Sequence, residues 1–358
     1  MPSKDFWRGK RVLLTGHTGF KGAWAWMWLE HLGAEVSGLA LASDTSPNLA
    51  GELGIAKSGR SLIGDIRDAE AVKAAVAAAN PTFVLHMAAQ ALVRRSYREP
   101  VETFDTNVRG TLQVLQALRS APALTGCVVV TSDKVYENDD RAHSFVEDDR
   151  LGGSDPYSAS KAACEVATSS FARSYFGPLY QGKGKGMVAT ARAGNVIGGG
   201  DWSEDRLVPD LWRAQRDRTV VELRHPEATR PWQHVLEPIS GYLRLLESME
   251  RPNPAKTLNF GPDDAVPVTV REVVEQFQAS YGRNDEAGWT LQPGQHPKEA
   301  KTLAINPAKA RETLGWRPRL SAREAIEWTA SWYAGYDRGA DPRVLTMDQI
   351  KAYEKRGH

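Results

Sequence analysis

Arg11-Val12-Leu13-Leu14-Thr15-Gly16-His17-Thr18-Gly19-Phe20-Lys21-Gly22, with the apolar run that follows to about Leu32, reads as a buried strand that turns through glycines into a helix. Glycines at 16, 19 and 22 let the backbone turn tightly and approach a pyrophosphate at the positive end of that helix. The spacing is G-x-x-G-x-x-G rather than G-x-G-x-x-G. Its position between strand and helix predicts a dinucleotide cradle built from Gly16, His17, Thr18, Gly19, Phe20, Lys21 and Gly22, with a bare glycine turn as the alternative. Lys21 is expected either beside the phosphates or in solvent.

Outward from that turn, Val36–Leu41, Ser61–Ile63, Phe83–His86 and Val128–Thr131 read as further strands, with helical segments between most of them. This alternation predicts an α/β protein with a Rossmann-type doubly wound parallel sheet, covered on both faces. In Val101–Leu118 the residues Val101, Phe104, Val108, Leu112 and Leu115 share one helical face. Asp155-Pro156 reads as a cap and a first-turn proline, so a helix is expected from there to about Tyr175. Gln181–Gly186 alternates glycine and lysine and reads as a surface turn. Beyond Asn195 the pattern becomes irregular and rich in Gly, Pro and Trp. A nucleotide-binding domain is therefore expected over 1–195, with return segments inside 233–261 (His234–Leu243 and Thr257–Gly261). A smaller, interleaved substrate-binding lobe is expected from 196–232 and 262–358.

The 358 residues carry 45 basic and 44 acidic side chains, a formal net charge of +1. Such a balance provides no electrostatic footprint for nucleic acid or an anionic membrane. No apolar run of spanning length appears and no leader is evident, so a cytoplasmic enzyme is the expectation. Cys127 and Cys164 are too few for a disulfide framework or a metal cage and read as buried thiols; no metal is expected.

Asp44, 22 positions past Gly22, is the candidate to hold an adenosine ribose, and Asp65-Ile66 after the third strand is suited to the adenine. No arginine follows the second strand to receive a 2′-phosphate, which favours NAD over NADP. Tyr157 and Lys161 stand four residues apart on the expected helix, about 400° of rotation, and so share a face. An ammonium beside a phenol favours the phenolate, which would take a proton from a sugar hydroxyl. Ser132 would complete the set by hydrogen-bonding the reacting hydroxyl. Asp133 and Lys134 follow directly after an apolar strand, where the carboxyl ends of a parallel sheet meet a ligand; an ion pair in a turn is the alternative.

These motifs, along essentially the whole length, resemble the extended short-chain dehydrogenase/reductase (NAD-dependent epimerase/dehydratase) family. The resemblance also rests on His86-Met87-Ala88-Ala89-Gln90, on the run Arg192-Ala193-Gly194-Asn195-Val196-Ile197-Gly198-Gly199-Gly200-Asp201-Trp202, and on Arg230-Pro231-Trp232-Gln233-His234-Val235. Within the family the likeness is greatest to 4,6-dehydratases of CDP-linked glucose. It implies CDP-D-glucose as substrate, retained NAD, a 4-keto-6-deoxy product used in deoxysugar and lipopolysaccharide O-antigen biosynthesis, and a homodimer built on the 101–118 and Tyr157 helices. It further implies that Ala88, Ala89, Gln90 and Asn107 support the cofactor. Asn195 and Arg230 would hold the diphosphate, and His86 would either touch the sugar or pack at its strand end. Asp133, kept protonated by burial, would release the departing hydroxyl as water. At the next position dTDP-glucose relatives carry glutamate as the C5 base and this chain carries Lys134. It would have to be neutral, or act electrostatically while another group takes the proton. An epimerase or simple dehydrogenase on another sugar nucleotide, and a non-catalytic NAD sensor, remain the competing readings.

Overall fold

The structure is a computed structural model, and it describes residues 1–140, 143–177, 186–263, 268–282, 288–292 and 303–357. The expected turn Gln181–Gly186 lies, except for Gly186, outside the described residues.

Seven strands, β1 (Arg11–Thr15), β2 (Glu35–Ala40), β3 (Ser61–Ile63), β4 (Phe83–His86), β5 (Gly126–Val130), β6 (Met187–Arg192) and β7 (Thr257–Asn259), form one sheet. Its order is β7-β6-β5-β4-β1-β2-β3, and every pairing is parallel. Leu14 sits between Gly38 and Leu85, so the strand order reverses across β1 and β4. A crevice opens at the carboxyl ends of the strands at such a reversal.

Helix α1 (Phe20–His31) follows β1 and is buried from Gly22 to Leu29. It is apolar all round because the helix Pro342–Lys355 covers its outer side, where the Trp28 indole donates to Glu354 at 2.8 Å. Residues 100–118 form one continuous helix, α2, with a π turn over Asp105–Gly110. Its apolar stripe reaches the core only at the far end. Leu115 is fully buried, whereas Val101 is 81% exposed and Phe104 38%. Helix α3 (Pro156–Tyr175) starts at the Asp155 cap, whose carboxylate accepts the Ser158 N–H at 3.0 Å.

Two expectations about the sheet need correction. Thr257–Asn259 does return to it, but His234–Leu243 does not. Gln233–His234 pairs with Val196–Ile197 in a separate two-stranded ladder, and Leu236–Ser248 is a helix. The helical period was already present in Leu236, Ile239, Leu243 and Leu246. Strand β6, which the sequence reading passes over, lies between β5 and β7. No helix among the described residues is long and apolar enough to cross a membrane.

Candidate active site

A cavity of about 780 Å³ runs along the carboxyl ends of the strands. Two glycines of its cradle, Gly16 and Gly22, have no room for a side chain. A Cβ on Gly16, whose φ is 78°, would lie 2.8 Å from the Ala88 nitrogen, and one on Gly22 would lie 2.1 Å from the Gly16 carbonyl oxygen. Thr18, Gly19, Phe20 and Lys21 complete this wall, facing Ala88, Ala89 and Gln90. Thr15 Oγ1 accepts the N–H groups of Met87 and Ala88 at 3.1 Å and so fixes the opposite wall. The bare, donor-rich backbone at the start of α1 fits a pyrophosphate. Asn107 stands behind this wall: its amide clasps the Gln90 backbone at 2.9 and 3.0 Å and donates to Ser160 Oγ at 2.9 Å.

His17 departs from expectation, and His86 takes the packed role rather than the sugar-binding one. The His17 ring turns away from the cavity, bonds Ser61 Oγ at 2.6 Å and packs on Trp26; burial pulls its pKa down to about 4. Only its backbone belongs to the cradle. His86 is locked between Thr15 Oγ1 at 2.6 Å and Thr111 Oγ1 at 2.9 Å, and burial pulls it down to about 3. Both of its ring nitrogens are occupied in the core, so it is not available to a sugar.

At the far end of the cradle, Asp44, Asp65 and Ile66 line the cavity. Desolvation pushes the Asp65 carboxyl up, but paired hydrogen bonds from Arg67 at 2.6 and 2.8 Å win and hold it below its usual range. Asp44 lies 3.7 Å from Arg95. No arginine follows the second strand, as expected, but one reaches this end from another element. Arg95 comes from the helix Val93–Arg98, and Glu99 at 2.6 Å and Glu102 at 3.6 Å offset its charge.

The opposite end is dry. Tyr157, Lys161, Ser132 and Asp133 are all buried and all line the cavity. Ser132 donates to one oxygen of Asp133 at 3.0 Å, while the other oxygen has no partner among the described residues. The Asp133 carboxyl fills the space beside Gly194, where a Cβ would lie only 1.6 Å away, so position 194 admits glycine alone. Burial raises the pKa of Asp133. Lys161 donates to the Val130 carbonyl at 3.3 Å, and burial lowers its pKa. The expected lowering of the Tyr157 phenol does not occur in the unliganded chain. Burial pushes it up to about 12, and the Ser132 hydrogen bond and the Arg206 charge only partly oppose this. Lys134 is half-buried and lines the same wall, with its N–H bonded to Ser132 Oγ at 3.2 Å.

Lys21 belongs to this end and not to solvent. Burial pulls its pKa down to about 7, with the cations Arg206 and Lys161 adding to the effect and Asp133 and Asp201 opposing it. Asn195, in a left-handed backbone conformation with φ 46°, and Arg230 line the remaining wall. Trp232 lines it too, whereas Trp202 packs among Trp212, Trp332 and Tyr336 in the core. The sequence reading does not single out Arg206, which lines the cavity and pairs with buried Asp201 at 2.9 Å. Its only sequence signal is its place immediately before the helix Leu207–Asp217.

A cradle that excludes a Cβ at Gly16 and Gly22, set at the reversal of a parallel sheet with a buried Ser–Tyr–Lys set in the same cavity, defines an architecture of the short-chain dehydrogenase/reductase type. Residues 13–329 match the model of the GDP-mannose 4,6 dehydratase family, and the chain belongs to that family. It is 42% identical over 356 residues to the CDP-glucose 4,6-dehydratase of Salmonella typhimurium, covering 99% of this chain and 98% of the relative. It is 25% identical to a UDP-glucose 4-epimerase of Rhizobium meliloti, over 77% of this chain and 84% of that one. Among solved structures, the NAD complex of the Thermus thermophilus UDP-glucose 4-epimerase superposes with a TM-score of 0.76 at 26% identity, over 92% of this chain and 99% of that one. The NAD complex of the Bacillus anthracis dTDP-glucose 4,6-dehydratase shares the fold, with a TM-score of 0.74 at 22% identity, over 93% and 99%.

Proposed function

We propose that this chain is a CDP-D-glucose 4,6-dehydratase, which converts CDP-D-glucose to CDP-4-dehydro-6-deoxy-D-glucose and water. The observation that carries the reading is Asp133: a buried carboxyl with a raised pKa and one unpaired oxygen, set between Ser132 and Gly194. An epimerase has no leaving hydroxyl to protonate and no use for such an acid. The likeness to the Salmonella enzyme supports the choice of CDP-glucose.

NAD, held by the 16–22 cradle, Ala88–Gln90 and the Asp44–Asp65–Ile66 end, would supply the acceptor for hydride from C4 and its return to C6. Tyr157 takes the proton of the C4 hydroxyl, which Ser132 orients. Its phenol is protonated at neutral pH in the unliganded chain; the Ser132 hydrogen bond and the Arg206 charge favour its ionised form, and Lys161, one helical turn on, is the cation proposed to add to them. Asp133 then gives its proton to the C6 hydroxyl as that group departs. Lys134 lines the wall where a base at C5 would stand, either as that base or as a charge that assists another. Arg230 and Asn195 take the diphosphate; a guanidinium suits phosphate through its forked donors. The carboxylates around Arg95 disfavour a 2′-phosphate, in keeping with NAD. In this reading residues 1–195, with the single sheet return at Thr257–Asn259, make up the nucleotide domain, and 196–232 with 262–358 supply the substrate lobe. A cytoplasmic homodimer joined through the exposed apolar face of α2 and α3, with Val101, Phe104 and Val166, completes the reading.

The test uses C4-deuterated CDP-, UDP- and dTDP-glucose with NAD. A 4-keto product carrying deuterium at C6, formed from the CDP sugar alone, is the expected result. Stoichiometric release of NADH with no label at C6 would overturn the reading in favour of a dehydrogenase.

A further inference from the structure

The segment Thr131–Tyr136 carries Ser132, Asp133 and Lys134, yet its only regular structure is a single 3-10 turn. One buried ion pair fastens it at both ends. Glu165 lies on α3, one turn beyond Lys161, and one of its oxygens accepts Thr131 Oγ1 at 2.5 Å and Arg192 Nε at 3.0 Å. The other oxygen accepts Thr190 Oγ1 at 2.8 Å and Arg192 Nη2 at 3.0 Å. Arg192, the last residue of β6, also donates through Nη1 to the Tyr136 hydroxyl at 2.8 Å, and that hydroxyl donates to Asn259 at 2.7 Å. The guanidinium also faces the Tyr136 ring at 4.9 Å. Both charged side chains are only 4% exposed.

A buried ion pair is a poor device for stability alone, because desolvation offsets much of the attraction and an apolar pair of the same volume does as well. What an apolar pair lacks is direction. These hydrogen bonds tie α3, which carries Tyr157 and Lys161, to both ends of the segment that carries Ser132, Asp133 and Lys134. We propose that Glu165 and Arg192 are positioning residues that lock the two halves of the catalytic set in one register. Neither lines the cavity, so they act through Thr131 and Tyr136. Glu165 also opposes the loss of charge that burial imposes on Lys161.

This inference uses the dehydratase reading for its assay. Tyr136→Phe removes only the hydroxyl that anchors the far end of the segment, and Tyr136 does not line the cavity. Thr190→Val removes a hydroxyl from the same Glu165 carboxylate on a strand that carries no reacting group. Tyr136→Phe is expected to lower kcat about tenfold with KM within twofold, to raise the C4 deuterium isotope effect, and to speed amide exchange across 131–136. Thr190→Val is expected to lower Tm comparably and to leave kcat and the isotope effect within twofold. Equal loss of kcat in both variants, or none in Tyr136→Phe, would overturn the lock. A wild-type chain inactive on every nucleotide-glucose would remove the dehydratase reading instead, and amide exchange alone would then decide the lock.

Discussion

The two ends of this one cavity use the same kinds of side chain to opposite effect. At the adenosine end the carboxylates stand beside arginines, with Asp44 75% exposed and half-buried Asp65 held ionised by Arg67. At the reaction end Asp133, Tyr157 and Lys161 are buried and Lys21 is half-buried, and each is pushed toward its neutral form: the acids up, the lysines down. Water decides which role a group can take. A wet carboxylate is a fixed anion that accepts hydrogen bonds, and a dry one keeps a proton that it can give away. Binding and chemistry are thus separated by burial rather than by residue type.

The contrast makes its largest prediction at the dry end. Tyr157→Phe keeps the ring that lines the pocket and removes the hydroxyl proposed to take the C4 proton. We expect kcat to fall by about 10³ or more, within the range for loss of a positioned proton-transfer group, while NAD binding, followed by calorimetry, changes little. Turnover within tenfold of wild type would mean that the dry end is not where chemistry happens. Asp133→Asn ranks next, with an expected loss of about 10² to 10³ in dehydration. Oxidation at C4, read as NADH absorbance or as C4 exchange, should survive. The sign of the pH dependence follows from the raised pKa of Asp133. The protonated acid is fully present at low pH and is lost as pH rises through its raised value. Elimination in the wild type should therefore fall on the alkaline side, and Asp133→Asn should lack that limb.

How far this was legible in the sequence depended on how local the signal was. Strands β1 to β5 and helix α3 fall within a residue or two of where apolar runs, glycines and the Asp155-Pro156 cap place them. Strand β6 was missed because Met187-Val188-Ala189-Thr190-Ala191-Arg192 ends in a threonine and an arginine that are buried only because Glu165, from another element, satisfies them. The two histidines show the limit of motif reading. His17 and His86 sit where the motifs put them, but a linear motif does not say to which side a ring turns, and neighbouring hydroxyls take both into the core. Arg95 and Arg206 stand a few residues beyond quoted runs, but spacing along the chain does not say that their side chains turn into the cavity.

At the wet end the effects should be smaller and should differ between its two carboxylates. Asp65→Ala leaves Arg67 without its paired acceptor beside the adenine wall, and KM for NAD should rise about tenfold, the equivalent of roughly 1.4 kcal/mol. Asp44→Ala is the smallest change and the sharpest test of the comparison. Asp44 is 75% exposed, and its 3.7 Å contact with Arg95 is a surface pair of the kind that contributes about 0 to 1 kcal/mol. Its one expected service is to accept the ribose hydroxyls, in competition with water. KM for NAD should therefore rise only about two- to threefold, and kcat should not move. The same substitution frees Arg95 from one of its three carboxylate neighbours, so NADP should gain relative to NAD. If KM for NAD instead rises a hundredfold, Asp44 must lie in a dry site when the dinucleotide is bound, and the division of the cavity into a wet anchor and a dry reaction chamber would fail at its first boundary.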